Sequence, residues 1–209
     1  SPDSGRVVVL DGDGSRVTLD DRRRGRLVGY LPQDVLAVPG ITCVDYLEYV
    51  GFLKGLPGRE SRSQAPHLLD DVGLGDHARA RTRALSGGML RRLGLAAALV
   101  GDPDILIVDE PTAGLDFQQR SAMRELIRST SARSSVLLST HLADDVAALA
   151  HDVVVLDAGR VKYSGSLDEL ATGGCSGADI ERAFLALVGP ERTGLMGGTA
   201  PVRASGGDI

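Results

Sequence analysis

Four consecutive apolar residues, Ile105-Leu106-Ile107-Val108, run directly into two carboxylates, Asp109 and Glu110, and then Pro111. An unbroken apolar run of this kind, with no polar alternation, is the pattern of a strand buried on both faces, and such strands belong to parallel sheets covered by helices. Similar short runs recur along the chain. Leu27 to Leu31 reads as a strand stopped by Pro32, and Val136 to Leu138 as another buried strand. Val153 to Leu156 is followed by a turn at Ala158-Gly159 and a return strand at Val161 to Tyr163. Between them the apolar period changes to that of a helix: Val44, Leu47 and Val50 after Thr42 as N-cap, then Leu68, Leu69 and Val72, then Leu90, Leu93, Leu95 and Ala98. Further helices are expected over Ser121 to Thr130, Ala143 to Ala150, Leu167 to Leu170 and Ile180 to Val188. Strands alternating with helices predict an α/β fold with a largely parallel sheet. At the ends of the chain, Arg6 to Leu10 reads as an edge or hairpin strand, Arg22 to Arg24 as a solvated basic face, and the Gly- and Pro-rich stretch 189–209 as a disordered tail.

Composition narrows the function classes. A chain of 209 residues suits one domain, or a core with one subdomain. The net charge of −5 gives no reason to expect nucleic acid or an anionic membrane surface as a partner. Cys43 and Cys175 are far apart and lack metal-ligand spacing, which predicts a reduced, cytosolic chain. No apolar stretch approaches the roughly 18 to 20 residues that span a bilayer, and Leu93 to Val100 is expected to be a buried helix. A chain of this kind working at a membrane is expected to be held there by another polypeptide.

Chemistry concentrates at the ends of the predicted strands. Asp109 and Glu110 sit where a strand emerges into a loop, the place where open α/β sheets bind ligands. Adjacent carboxylates can divide labour there, one holding Mg²⁺ through oxygen while the next orients or deprotonates a water. Leu85-Ser86-Gly87-Gly88-Met89 leads into a helix: Ser86 is a good N-cap, and the glycines let the backbone approach a ligand. Free N–H groups and the positive dipole end at such a terminus suit a phosphate. A solvated strand end and an ordinary capped helix are the plain alternatives for these two motifs taken singly.

Read in order, Gln33 in Gly29-Tyr30-Leu31-Pro32-Gln33, the Leu-Ser-Gly-Gly sequence, the Asp109-Glu110 pair, Ala113-Gly114-Leu115-Asp116 and Ser139-Thr140-His141 are far more specific. From about residue 1 to 186 the chain resembles the nucleotide-binding domains of ABC (ATP-binding-cassette) ATPases, whose Q-loop, signature, Walker B, D-loop and switch-histidine motifs these segments match in order. The resemblance implies a P-loop NTPase (RecA-like) parallel-sheet core with an inserted helical subdomain at about 41–92, the domain running over 1–188. It also implies the ligands ATP and Mg²⁺. Gln33 would contact Mg²⁺ or the attacking water and couple to a transport partner, and Asp109 would support Mg²⁺. Glu110 would be the general base, and His141 would contact the γ-phosphate. Ser86, Gly87 and Gly88 would clamp the γ-phosphate of ATP held by a second nucleotide-binding subunit in a head-to-tail dimer, and Asp116 would bridge the two subunits.

Two departures stand out. Leu90 and Arg91 occupy positions that are usually polar or Gln in the family, which reads as a subfamily trait. More consequentially, no Gly-x-x-x-x-Gly-Lys-[Ser/Thr] occurs in the sequence, and neither lysine, Lys54 or Lys162, lies in a Gly-rich loop. That loop, Walker A, supplies the backbone cradle and the lysine for the β- and γ-phosphates. In the family it precedes a segment like Ser1 to Gly5, so an N-terminally truncated fold is expected, with the natural protein longer. The 209-residue chain alone is expected to be inactive.

The stretches Gly29 to Gly51 and Leu156 to Leu170 look most like exporters of the drug-efflux kind that work with a separate membrane-spanning transporter subunit. The resemblance therefore implies an ATPase at the inner face of the cell membrane. A non-catalytic, signature-donating or regulatory subunit and a soluble ABC protein are the alternatives.

Overall fold

The computed structural model describes residues 8–10, 16–17 and 26–189. The basic run Arg22 to Arg24, residues 6 and 7 of the first expected strand, and the tail beyond Gly189 lie outside the described residues. The chain divides into two compact units, Ser1–His141 and Leu142–Ile209.

In the first unit, β1 (Val9–Leu10) pairs antiparallel with β2 (Arg16–Val17), the hairpin expected near the start. The sheet that matters for function has three parallel strands: β3 (Val28–Leu31), β4 (Ile105–Asp109) and β5 (Ser135–Ser139), in that spatial order. Register aligns Tyr30 with Ile107 and Leu137, and Leu31 with Val108 and Leu138. Four helices accompany the sheet: α1 (Cys43–Leu53), α2 (Gly58–Asp71), α3 (Gly87–Leu99) and α4 (Phe117–Ser131).

The core explains why these runs settle as they do. Leu31, Leu106 and Val108 from the sheet are fully buried, as are Leu93 and Leu95 of α3, Leu47 of α1 and Leu69 of α2, with Met123 and Ile127 of α4 almost fully so. Each such side chain contributes about 1.5–3 kcal/mol through its removal from water. The opposite face of the sheet behaves differently. Tyr30 is 54% exposed and Leu137 63% exposed, while Ile107 is half-buried. The expectation of a strand buried on both faces therefore holds for one face of β4 only, and Val136 to Leu138 is not a buried strand. Among the described residues β5 is hydrogen-bonded to β4 alone, so it is an edge strand with one face open, and apolar residues on such a face stay in solvent.

Local signals hold the helices where the sequence places them. The Thr42 side chain accepts from the Asp45 N–H at 3.3 Å, and the Asp45 carboxylate accepts from the Thr42 N–H at 3.2 Å, a capping box that closes the start of α1. The Thr42 hydroxyl and then its backbone N–H hold the Asp45 carboxyl below its ordinary value. Replacing Thr42 with Ala is expected to lower stability by about 1 kcal/mol at neutral pH. A depressed carboxyl pKa stabilises above the unfolded value, so this loss should shrink as pH falls through the folded value of Asp45; urea unfolding of both proteins at pH 7 and at acid pH checks it. At the far end of α1, the Lys54 ammonium donates to the carbonyls of Ala98 (3.0 Å) and Val100 (2.7 Å) at the end of α3. Burial draws its pKa down to about 8, which leaves it mostly charged at neutral pH and able to tie α1 to α3.

In the second unit, β6 (Asp152–Asp157) and β7 (Arg160–Ser166) form a separate antiparallel sheet, with the turn at Ala158-Gly159 as expected. Three helices join it: α5 (Ala143–Leu149), α6 (Leu167–Leu170) and α7 (Gly177–Val188). Leu167, Ala171 and Ile180 are its buried centre, packed by Ala143, Val146 and Ala147.

Candidate functional site

The C-terminal end of β4 gathers the carboxylates. Asp109 is the last residue of the strand, and Glu110 turns out of it with φ at +46°. That left-handed conformation costs a non-glycine residue on the order of 1 kcal/mol and persists only where neighbours hold it. Here both sides of the residue are held. The Glu110 N–H donates to the Ser139 carbonyl at 3.0 Å and reaches the Ser139 hydroxyl oxygen at 3.2 Å. Its carbonyl accepts from the Arg91 guanidinium at 2.6 Å and from the Ala113 N–H at 3.2 Å.

The side chain of Glu110 is 19% exposed, and its Oε2 lies 2.8 Å from Nδ1 of His141, which is 60% exposed. Oε2 is nonetheless buried and accepts no well-aligned hydrogen bond, so the contact is a close approach whose strength depends on a proton at Nδ1. A buried carboxylate oxygen lacking a good donor can take a hydrogen bond from a water or hydroxyl delivered to it. Asp109 is oriented from two sides: the Ser139 hydroxyl donates to Oδ1, and the Tyr30 hydroxyl is 3.5 Å from Oδ2.

Gln33 is exposed in the loop after β3. It reaches the site through the backbone, since its carbonyl accepts from the second Nη of Arg91 at 2.5 Å. Asp109, Glu110 and His141 are thus brought together, and Arg91 bridges the Gln33 main chain to Glu110. Ser86, Gly87, Gly88 and Asp116 form a second group. Ser86 caps α3 by accepting from the Met89 N–H at 3.3 Å, and Asp116 caps α4 by accepting from the Gln119 N–H at 2.8 Å. Gly88 lies against α4: a Cβ on it would fall 2.7 Å from the Gln119 side chain. Ser86, Gly87 and Asp116 are exposed, and among the described residues no hydrogen bond or ion pair joins Ser86 to Asp109, Glu110 or His141. Among the described residues the two groups share no hydrogen bond or ion pair.

The donor set fits Mg²⁺ bound together with a phosphate ligand. Asp109 and the Gln33 amide offer hard oxygens, and Mg²⁺ typically takes one or two carboxylates and completes its shell with water and phosphate oxygens. Among the described residues no three His, Cys, Asp or Glu side chains cluster as an all-protein metal cage. Sequence reasoning gave no site role to Arg91 or Ser139. Their roles rest on contacts to residues 19 to 58 positions away, for which the local sequence carries no signal.

Comparison with known proteins identifies the family of this chain. Residues 1–113 match the family described as ABC transporter. The chain is 38% identical over 172 residues to the Nod factor export ATP-binding protein I of Ralstonia nicotianae, covering 82% of this chain and 53% of that protein. It is 39% identical over 176 residues to the daunorubicin resistance ATP-binding protein DrrA3 of Streptomyces coeruleorubidus, covering 83% and 55%. Against these curated relatives the chain spans about half their length. Among solved structures it superposes on the ATP-binding cassette MJ0796, captured as a dimer in a post-hydrolysis state with ADP and Pi. That match has a TM-score of 0.62 and 25% identity, over 74% of this chain and 71% of the other. The chain belongs to the ABC transporter family, as an ABC ATPase nucleotide-binding domain of the P-loop NTPase fold.

Proposed function

We propose that this chain is the ATP-binding and ATP-hydrolysing part of an ABC exporter, driving a compound through a separate membrane-spanning subunit. The observation that carries the reading is the Glu110 carboxylate, held by a clamped left-handed backbone with a buried, poorly satisfied Oε2 beside His141. Phosphoryl transfer to water needs a positioned base and charge neutralisation more than covalent chemistry. Glu110 takes the proton of the attacking water, and His141 orients the γ-phosphate next to it. Asp109 and Gln33 would hold Mg²⁺, which when bound would neutralise charge on the phosphates. The exposure of Ser86 and Gly87 at the helix tip supports a head-to-tail dimer, in which each signature completes the other subunit's site and Asp116 lies at the seam. Residues 1–188 then act as a nucleotide-binding domain, with about 41–92 as its helical subdomain.

The α1 residues Tyr49, Phe52 and Leu53, at helical spacing and largely exposed, support docking of an apolar segment of the membrane subunit close to Gln33. No described helix is long and apolar enough to cross a membrane; on the exporter reading itself, the chain sits at the cytoplasmic face through that partner. The relatives' names, which refer to Nod factor export and daunorubicin resistance, support the exporter reading.

Equilibrium binding of Mg²⁺-ATP tests the reading on two proteins, the 209-residue chain and the product of its complete gene. The 209 residues contain no phosphate-binding loop, so they are expected to bind weakly, and the gene product to bind and hydrolyse ATP. Tight binding by the 209-residue chain would overturn the first expectation. A gene product that neither binds nor hydrolyses ATP would leave the exposed, capped signature as its useful surface, a non-catalytic subunit serving a partner's site.

A further inference from the structure

The guanidinium of Arg91 stands between the two halves of the proposed chemistry. One Nη donates to the carbonyl of Glu110 at 2.6 Å, and the other to the carbonyl of Gln33 at 2.5 Å. Both acceptors are main-chain groups, so the clamp grips the paths of the two loops, whatever their side chains do. Arg91 lies on α3, one turn after Gly88, so the same helix carries the signature at its tip. Among the described residues no ion pair joins Arg91 to a carboxylate, and its bonds are those to the two carbonyls.

We propose that Arg91 is a positioning residue that couples the Gln33 loop to the base: by holding both carbonyls it transmits displacement of Gln33 into the left-handed backbone of Glu110, and so into the aim of its carboxylate. The inference rests on the reading of Glu110 as general base. Arginine suits the task because its planar fork offers two donors at fixed separation, whereas a lysine ammonium is a single point. Without the clamp, the Glu110 carbonyl keeps only the 3.2 Å bond from Ala113, and the left-handed conformation loses the partner that ties it to Gln33. Small misplacements of a catalytic group slow turnover without weakening substrate binding.

The neighbouring arginine is the control. Arg92 donates to the carbonyls of Val72 (3.1 Å) and Gly73 (3.2 Å), away from the site, and fastens α3 to the end of α2. In the product of the complete gene, Arg91→Gln is expected to lower kcat for ATP about tenfold or more with KM within about twofold. Arg91→Lys should not restore it, and Arg92→Gln should leave kcat unchanged. In the 209-residue chain, the backbone carbonyl ¹³C resonances of Gln33 and Glu110 should shift together in Arg91→Gln and stay in place in Arg92→Gln, a readout independent of hydrolysis. Wild-type kcat in a folded Arg91→Gln protein, or carbonyl resonances that do not move, overturns the inference alone. Hydrolysis that survives Glu110→Gln overturns the base assignment and with it the coupling to that base, while the resonances still report on the clamp.

Discussion

Replacing Glu110 with Gln is expected to lower kcat for ATP by about 10²- to 10⁴-fold, the range supplied by a positioned general base, while leaving Mg²⁺-ATP affinity close to that of the wild type. The substitution is nearly isosteric, so the buried side chain keeps its packing and the main-chain contacts with Ser139, Ala113 and Arg91 stay in place. What changes is the poorly satisfied oxygen 2.8 Å from His141: an amide carries no charge and cannot take a proton from water. Steady-state phosphate release by the product of the complete gene, beside equilibrium nucleotide binding, separates the two effects. A fall in affinity with turnover preserved would instead assign Glu110 to binding. A kcat within a factor of a few would remove it from the chemistry and make Asp109 or a residue outside the described segments the candidate.

The positions of these side chains in the fold were legible from the chain because they follow short, local signals. Asp109 and Glu110 follow an apolar strand run, Ser86 and Asp116 stand at N-cap positions, and Thr42 caps where the helical period begins. Exposure was not legible in the same way. Leu137 looks like a core residue yet is 63% exposed, because among the described residues β5 pairs with β4 alone, and what lies beside a strand is decided by tertiary pairing, not by its own composition. Nor was the Glu110 backbone legible. Its φ of +46° is imposed by Ser139 and Arg91, which come from 29 residues after it and 19 before it. Arg91 read as a substitution at a usually polar position, and only the fold shows its two nitrogens reaching two loops.

Gly29 carries the largest expected effect on stability. It sits in β3 where the strand meets the end of α3, and a Cβ there would overlap the Ala98 carbonyl oxygen and lie 3.0 Å from Cγ of Pro103. The obstacle is chiefly backbone, which cannot rotate aside as a flexible side chain can. Ala98 is also committed, since its carbonyl accepts from Lys54. Accommodating even a methyl group must push α3 off the sheet, which is overpacking of the costly kind. Gly29→Ala is therefore expected to destabilise by about 3 kcal/mol, lowering Tm by roughly 10 °C for a chain of this size. The same shift would separate α3 from β3 and with it Arg91 from the Gln33 loop, so surviving folded protein should also lose turnover. Thermal and urea unfolding of the variant check the first part, with Gly114→Ala as the contrast. Gly114 has a φ of +73° and no atom within 4 Å of its Cβ position, so that variant bears conformational strain without collision and should lose only about 1 kcal/mol. Equal losses in the two variants would mean that α3 yields to the added methyl, and that its close seat on β3 contributes little to the fold.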